Sequence, residues 1–211
     1  MTKQYTFFYN SQACNGCKAC VTACKDKHDL PVGRNWRRVY EINGGDWIQV
    51  GGSWVSDTFA YYLSLSCNHC ETALCTEVCP TTAMAKQDDG SVQVNQDACI
   101  GCRYCEWVCP YSAPQFDEEN RVMTKCTGCQ DYIAQGQKPA CVAACPSRAL
   151  DFGEQSDLEA KYGAFTAPEL AANVYPLPDP ALTQPSLIIQ PHRNAKRTNG
   201  TKPYLANPEE V

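Results

Sequence analysis

The stretch CIGCRYCEWVCP, residues 99–110, places four cysteines within twelve positions and ends on a proline. The same order of spacings, C-x2-C-x2-C-x3-C, occurs near the N-terminus at 14–24. Two looser versions lie at 67–79 and 126–145. Thiols that recur this closely either cross-link a chain or bind metal, so the cysteines decide the fold.

All 16 cysteines fall into four groups of four, and none is left for a separate structural or redox role. Group I is Cys14, Cys17, Cys20 and Cys24; group II is Cys67, Cys70, Cys75 and Cys79; group III is Cys99, Cys102, Cys105 and Cys109; group IV is Cys126, Cys129, Cys141 and Cys145. Groups I and III have identical spacing, whereas groups II and IV carry longer gaps after their second cysteine.

Three chemistries use cysteines in this number. Disulfides belong to short secreted chains, and the opening MTKQYTFFYNSQAC has no apolar run or cleavage site that predicts a secretory signal peptide. Zinc sites combine two close pairs, a pattern that group IV alone satisfies. The run C-x2-C-x2-C-x3-C-P is typical of bacterial iron–sulfur proteins. We therefore favour iron–sulfur clusters, with disulfides, zinc throughout and zinc at group IV alone as alternatives.

Sixteen thiolates at four per cubane predict four [4Fe–4S] clusters. Groups II and III lie close in sequence around the turn signal Asp89-Gly90, so they should exchange their fourth cysteines. By elimination, groups I and IV pair across the chain. The predicted ligand quartets are Cys14, Cys17, Cys20 and Cys145 (quartet 1), Cys24, Cys126, Cys129 and Cys141 (quartet 2), Cys67, Cys70, Cys75 and Cys109 (quartet 3), and Cys79, Cys99, Cys102 and Cys105 (quartet 4).

The fourth cysteine of each group is predicted to begin a helix. A proline follows it in three groups, as Pro80, Pro110 and Pro146, and proline suits a first helical turn because its missing N–H costs nothing there. Group I has Lys25 instead, so its helix should enter differently.

The fold class is predicted as α+β, with two ferredoxin-like modules of two clusters each. Residues 1–24 with 126–153 form one module, and residues 67–125 form the other. Residues 25–66 form a small β-sheet insert, because Gly-Gly pairs separate aromatic and β-branched runs. Residues 154–211 hold 8 of the 14 prolines, which predicts an extended Pro-rich tail. Its isolated apolar SLII suggests a strap over a partner subunit.

The remaining side chains have ordinary interpretations. Trp36, Trp47 and Trp54 are predicted as packing residues. His69, inside group II, is predicted to pack or hydrogen-bond, because a Rieske centre needs two histidines. The arginines at 34, 37 and 38 are predicted to form a solvated face. His28 and His192 are predicted to lie on the surface. Arg103 and Lys125 adjoin the cysteine loops and are candidates for raising cluster potentials.

Composition and motifs narrow the function. The net charge is −5, without the basic patch that nucleic-acid binding needs. No apolar stretch reaches the length of a membrane span. No nucleotide-binding fingerprint and no Ser–His–Asp constellation is apparent. We therefore predict that the chain has no catalytic activity on its own and acts as a subunit of an oxidoreductase complex. A fully ligated row of clusters suits electron transfer. A soluble polyferredoxin and a zinc-bearing interaction module are the alternatives.

Several motifs together resemble those of one family. They are QYTFFYNSQACNGCKACVTACKD (4–26), FAYYLSLSCNHC (59–70), CIGCRYCEWVCPYSAPQ (99–115), MTKCTGC (123–129), ALDFG (149–153) and YLANPEEV (204–211). In these motifs the chain resembles the electron-transfer iron–sulfur subunits of bacterial dimethyl sulfoxide reductases. The wider family serves other molybdoenzymes, such as polysulfide, thiosulfate, selenate and formate enzymes.

That resemblance implies a complex with two partners in anaerobic respiration. A membrane anchor subunit oxidises quinol, this chain relays the electrons, and a molybdopterin catalytic subunit reduces dimethyl sulfoxide or a similar S- or N-oxide. The resemblance also implies the sharing of clusters between groups I and IV and between groups II and III. It implies a peripheral location on the inner membrane, at the periplasmic face by co-export with the catalytic subunit, with the cytoplasmic face as the alternative.

Overall fold

The computed structural model describes residues 3–163, 174–195 and 203–211. Its strands are β1 (Tyr5–Asn10), β2 (Arg38–Gly44), β3 (Trp47–Val50), β4 (Ser53–Ser56), β5 (Phe59–Leu65), β6 (Met84–Lys86), β7 (Val92–Val94), β8 (Gln115–Asp117), β9 (Val122–Thr124), β10 (Leu150–Glu154), β11 (Leu187–Gln190) and β12 (Tyr204–Leu205). Its helices are α1 (Ala19–His28), α2 (Leu74–Glu77), α3 (Tyr104–Val108), α4 (Gln130–Ala134), α5 (Ala140–Ala143) and α6 (Gln155–Tyr162). The class is α+β, as predicted.

The first sheet joins the two ends of the chain. Its central strand is β1, which pairs antiparallel with β10 and parallel with β11. A run of consecutive apolar residues explains why β1 lies at the centre, since Phe7 and Tyr9 are buried on one face and Phe8 on the other.

The C-terminal segment differs from its prediction. The apolar SLII does not lie free to strap a partner, because Ile188 and Ile189 are buried in β11 beside β1. The segment also holds a helix, α6, which the count of prolines did not predict. The apolar SLII did indicate a buried segment, but its partner β1 lies about 180 residues away in sequence, so the local pattern could not identify it. Helix α6 packs against β10 and β1. Residues 164–173 and 196–202 of the predicted tail lie outside the described residues.

Strands β2 and β5 of the insert pair antiparallel, and β12 from the C-terminal segment joins them in a second sheet of order β12-β2-β5. Strands β3 and β4 of the insert form a two-stranded ribbon. The prediction of a small antiparallel sheet is therefore confirmed. The packing prediction holds for Trp36, which is 9% exposed, but is wrong for Trp47 and Trp54, which are 62% and 66% exposed on the ribbon. An isolated ribbon buries neither of its faces within one chain, so its aromatic side chains remain at the surface.

Short helices lie inside the cysteine groups. Helices α2, α3 and α5 each end before the fourth cysteine of groups II, III and IV. The prediction that this cysteine begins a helix is therefore wrong, because a residue that precedes proline is driven out of the helical conformation. Cys109, for example, is extended, with φ −76° and ψ 113°. Group I does differ, and α1 continues through Cys24 because Lys25 replaces the proline.

Two hairpins lie in the central cysteine region. Strands β6 and β7 form one, and β8 and β9 form the other. Gly90, at φ 78°, sits in the first turn, where the Asp-Gly signal predicted it. Among the helices, α1 packs against α5, and α2 packs against α3. The helices of groups I and IV therefore meet, and so do those of groups II and III.

No helix within the described residues is both long and apolar enough to cross a membrane.

Candidate iron–sulfur sites

The structure brings the thiols of each predicted quartet together. All 16 cysteines are free. Those of quartet 1, Cys14, Cys17, Cys20 and Cys145, line one hollow together with Tyr9, Ser64 and Ala149. Those of quartet 4, Cys79, Cys99, Cys102 and Cys105, line a second hollow together with Met84, Val94 and Met123. Both hollows have mainly apolar walls, which suits a group that must be insulated from water.

In quartets 2 and 3, the electrostatic interactions of one thiol show that the other three thiols lie near it. Cys24 lies close to Cys126, Cys141 and Cys129, the other members of quartet 2. Cys75 lies close to Cys67, Cys109 and Cys70, the other members of quartet 3. Each quartet therefore draws three thiols from one group and the fourth from its partner group. Whether these thiols ligate clusters stays a prediction.

Backbone N–H groups point at thiols of three of the quartets. Met123 donates to Cys99 Sγ at 3.3 Å, and Met84 donates to Cys79 Sγ at 3.5 Å. Ala149 donates to Cys145 Sγ at 3.3 Å, and Gly128 donates to Cys126 Sγ at 3.4 Å. Such donors stabilise a thiolate, so they favour the form of sulfur that binds metal.

Burial has the opposite effect on several other thiols of the quartets. Burial raises the pKa of Cys70 and of Cys75 to about 12, with like-charged neighbouring thiolates adding to the rise. Burial also raises the pKa of Cys105 and Cys129 to about 11. At Cys145, hydrogen bonds outweigh burial and lower the pKa. Four thiolates therefore do not share a hollow unaided, and a positively charged core of iron and sulfide would supply the missing compensation.

The loops that carry the thiols depend on left-handed backbone. The residue before the second cysteine is glycine in groups I, III and IV, and these residues, Gly16, Gly101 and Gly128, have φ of 72°, 65° and 70°. Group II has His69 at this position, with φ 45°. His69 is buried and its Nδ1 accepts a hydrogen bond from Val92 N at 2.9 Å, which is the packing and hydrogen-bonding role predicted for it.

The predicted solvated face of arginines is wrong. Arg37 is 2% exposed and Arg38 is 7% exposed. Arg34 forms an ion pair with Asp117, with Nη2 to Oδ1 at 2.8 Å, and this pair lowers the pKa of Asp117 to about 2. Charge alone predicted exposure for these residues, but all three are drawn inward by acceptors on other segments, such as the backbone oxygen of Tyr111 for Arg38.

Two further predictions concern residues beside the thiols. Lys125 is 3% exposed and donates to the backbone oxygens of Val92 and Cys126, so its charge is buried near quartets 2 and 3. Arg103 instead lies at the surface, paired with Glu106 at 2.7 Å. His28, predicted to lie on the surface, is half-buried, with its Nε2 at 3.4 Å from Cys129 Sγ.

The donor sets fit iron–sulfur clusters better than single ions. Each quartet offers four cysteine sulfurs as ligands, and cysteine sulfur can ligate both iron–sulfur clusters and zinc. Within the described residues, however, no three Cys, His, Asp or Glu side chains converge closely enough to hold one metal ion. The thiols of quartets 1 and 4 instead surround a hollow, as the corners of a cubane require.

Comparison with known proteins agrees with this chemistry. A family model described as a 4Fe-4S dicluster domain matches residues 58–155. The chain is 53% identical over 211 residues to the B subunit of anaerobic dimethyl sulfoxide reductase from Escherichia coli, with both proteins covered in full. It is 50% identical over 210 residues to the corresponding subunit of Haemophilus influenzae, across 99% of this chain and all of that protein. It is 36% identical over 196 residues to the B subunit of polysulfide reductase from Wolinella succinogenes, across 92% of this chain and 97% of that protein. The chain therefore belongs to the family of iron–sulfur B subunits of anaerobic dimethyl sulfoxide reductases.

Proposed function

We propose that this chain is an electron-relay subunit that holds four [4Fe–4S] clusters, one in each thiol quartet. The observation that carries the proposal is that all 16 free cysteines fall into four sets of four. The thiols of quartets 1 and 4 each line a hollow, and those of quartets 2 and 3 lie close to one another. Each set is complete at four thiols, which leaves no iron open to a substrate. A relay function suits such fully ligated clusters.

The chain's own residues hold, insulate and tune the clusters. A [4Fe–4S] cluster supplies a one-electron couple whose potential depends on nearby charge, on hydrogen bonds to sulfur and on solvent exposure. Backbone donors such as Met123 N and Ala149 N are aimed at ligand sulfurs. Apolar side chains such as Met84 and Val94 keep water from quartet 4.

Two modules account for the arrangement of the quartets. Packing of α1 on α5 supports a module of residues 1–24 and 126–153 that holds quartets 1 and 2. Packing of α2 on α3 supports a module of residues 67–125 that holds quartets 3 and 4. The central strand β1 leads directly into group I and pairs with β10, which follows group IV.

Two partners would exchange electrons with this chain, as the names of its relatives suggest. We infer that a membrane anchor subunit that oxidises quinol is the donor and that a molybdopterin subunit that reduces dimethyl sulfoxide or a similar S- or N-oxide is the acceptor. Two exposed edges support this inference. Cys17 of quartet 1 is exposed, and beside quartet 4 the side chains of Ile100, Tyr104 and Trp107 are 66%, 50% and 74% exposed. We place the complex at the inner membrane, on the periplasmic face, with the cytoplasmic face as the alternative.

The alternative acceptors are those of the other relatives. The identity to the polysulfide reductase subunit is 36%, against 53% for the dimethyl sulfoxide reductase subunit of Escherichia coli, so the sulfoxide is the favoured acceptor. A soluble polyferredoxin would carry the same clusters without partners.

Anaerobic purification of the tagged chain from its native host tests the proposal. We expect about sixteen irons and sixteen sulfides per chain, four of each per cubane, and brown protein with four EPR-active couples. We also expect two larger partner subunits to copurify, one of them with molybdopterin. Zinc in place of iron would refute the clusters, and full iron without copurifying subunits would favour a polyferredoxin. Reduction of dimethyl sulfoxide against polysulfide by the intact complex identifies the acceptor.

A further inference from the structure

Arg37 is a buried cation whose neighbours include thiols of two quartets. Its side chain is 2% exposed and belongs to the largest fully buried side chains of the described residues. It lies just before β2, and it was predicted to face solvent. Burying a guanidinium is costly unless opposite charge and hydrogen-bond acceptors surround it. We therefore ask which acceptors and which negative charges surround Arg37.

Neutral groups hold the guanidinium in place. Nη1 donates to the backbone oxygen and to Oγ of Ser64, both at 3.2 Å, and Nη2 donates to Ser66 Oγ at 2.9 Å. Its plane lies over the ring of Phe7, with the guanidinium carbon 4.6 Å from the ring centroid. Nε is buried and has no acceptor among the described residues. These contacts fix the position of the charge but do not neutralise it.

No carboxylate neutralises Arg37 either. Among the ion pairs formed by the described residues, none includes this side chain. The negative partners are thiols instead. Phe7, whose ring lies under the guanidinium, belongs to one buried cluster with thiols of both quartets, namely Cys20 of quartet 1 and Cys24, Cys126 and Cys141 of quartet 2. The same four thiols interact electrostatically with Arg37. Ser64, which accepts from the guanidinium, also lies 3.4 Å from Cys20 Sγ through its own Oγ.

We propose that Arg37 is a redox-tuning residue, a fixed positive charge between quartets 1 and 2 that raises the reduction potentials of both of their clusters. The inference rests on the proposed function, because it requires clusters in both quartets. Each cluster gains one electron on reduction and becomes more negative by one charge, with no proton needed. A cation nearby stabilises the reduced form more than the oxidised form, so it shifts the potential upward.

The position of the charge also makes the effect selective. Arg37 neighbours one thiol of quartet 1 and three of quartet 2, whereas no thiol of quartets 3 and 4 is among its principal electrostatic neighbours. The adjacent residue Arg38 lies elsewhere, since it donates to the backbone oxygens of Tyr111 and Ser112 and acts on Cys109 of quartet 3. The two neighbouring arginines therefore face different quartets and form a natural pair for comparison.

The test is a redox titration of the intact complex, followed by EPR, with Arg37→Gln in this chain. We expect two of the four clusters to become at least about tenfold harder to reduce at a fixed potential, which is about 59 mV for a one-electron couple. The other two clusters are expected to keep their wild-type potentials. Arg37→Lys, which keeps the charge at a shorter reach, should give smaller shifts confined to the same two clusters.

Arg38→Gln is the matched control, a neighbouring buried arginine of equal charge. It should leave the two clusters that respond to Arg37→Gln unchanged. The inference is overturned if Arg37→Gln retains its iron and shifts no potential, shifts all four equally, or moves only the cluster that responds to Arg38→Gln. If Arg37→Gln loses iron, Arg37→Met, a neutral side chain of similar length, decides, because movement of two clusters supports the inference and movement of none or of four overturns it. Wild-type complex without four clusters would instead refute the proposed function.

Discussion

Replacement of Gly101 by alanine is expected to remove the cluster of quartet 4 and to leave the other three in place. Gly101 lies between Cys99 and Cys102, at φ 65°, in the loop that contributes three of the four thiols to that hollow. A Cβ at this position would lie 2.3 Å from the backbone oxygen of Arg121 and 3.0 Å from the ring of Phe116. Ordinary carbon–oxygen contacts are about 3.3 Å or longer, so the loop must move by about 1 Å.

The cost of this change has two parts. A left-handed alanine costs about 1–2 kcal/mol, and overpacking against a fixed backbone atom adds about 1–3 kcal/mol. The Arg121 oxygen belongs to the turn of the β8–β9 hairpin and is not the end of a flexible side chain, so it does not yield readily. A displacement of about 1 Å at Gly101 moves both flanking thiols, and a rigid cubane does not follow them.

Gly128→Ala is the matched control. Gly128 occupies the corresponding position of group IV at φ 70°, but the nearest atom to an added Cβ is Phe152 Cζ at 3.7 Å. This variant therefore carries the left-handed cost without the clash. Iron analysis of the anaerobically purified complex should show a loss of about a quarter for Gly101→Ala, one cluster in four, and none for Gly128→Ala. Full iron in Gly101→Ala, or equal losses in the two variants, would refute the steric argument.

Three further predictions concern pairing, charge and packing. Cys145→Ser should alter the same EPR signal as Cys14→Ser, because both thiols belong to quartet 1, while Cys141→Ser should alter a different one. Asp117→Asn should destabilise the chain by about 1–2 kcal/mol at pH 7, a lowering of the apparent Tm by about 2–6 °C. The carboxylate stabilises the fold above its unfolded pKa of 3.8 and loses this effect as the pH falls through about 2, so the difference should shrink below about pH 4. Ile189→Ala should cost about 2–4 kcal/mol, measured as a lower apparent Tm, because the side chain is 1% exposed in β11.

Each of these has an outcome that contradicts it. Damage by Cys145→Ser confined to the signal that Cys141→Ser alters would refute the crossed pairing. A loss of stability by Glu118→Gln, at an exposed neighbour, as large as that of Asp117→Asn would show that the ion pair is not responsible. Leu182→Ala, at a position 53% exposed, should leave the Tm unchanged, and a loss equal to that of Ile189→Ala would refute the packing argument.

The proximity of the thiols within each predicted quartet was predictable, because the ferredoxin-type spacing implies that each group lends its fourth cysteine to a partner group. That these thiols ligate clusters stays a prediction. The β6–β7 hairpin was predictable for a local reason, since an Asp-Gly turn is encoded within a few residues.

The features that were missed depend on distant contacts. The pairing of β11 with β1 joins residues about 180 positions apart, and no local pattern specifies a parallel neighbour at that separation. The burial of Arg37 follows from the thiols and serines around it, which come from distant segments of the chain. The exposure of Trp47 and Trp54 was missed because an aromatic strand pattern does not say whether a partner face exists in the same chain.

The central place of β1 has a consequence for biosynthesis. Its neighbours β10 and β11 begin at residues 150 and 187, so this sheet cannot close until residues 187–190 have left the ribosome. Quartets 3 and 4 are complete once Cys109 has emerged, whereas quartets 1 and 2 wait for Cys145 and Cys141. We therefore expect the thiols of quartets 3 and 4 to become available to the assembly machinery earlier in translation than those of quartets 1 and 2, and the sheet around β1 to close last.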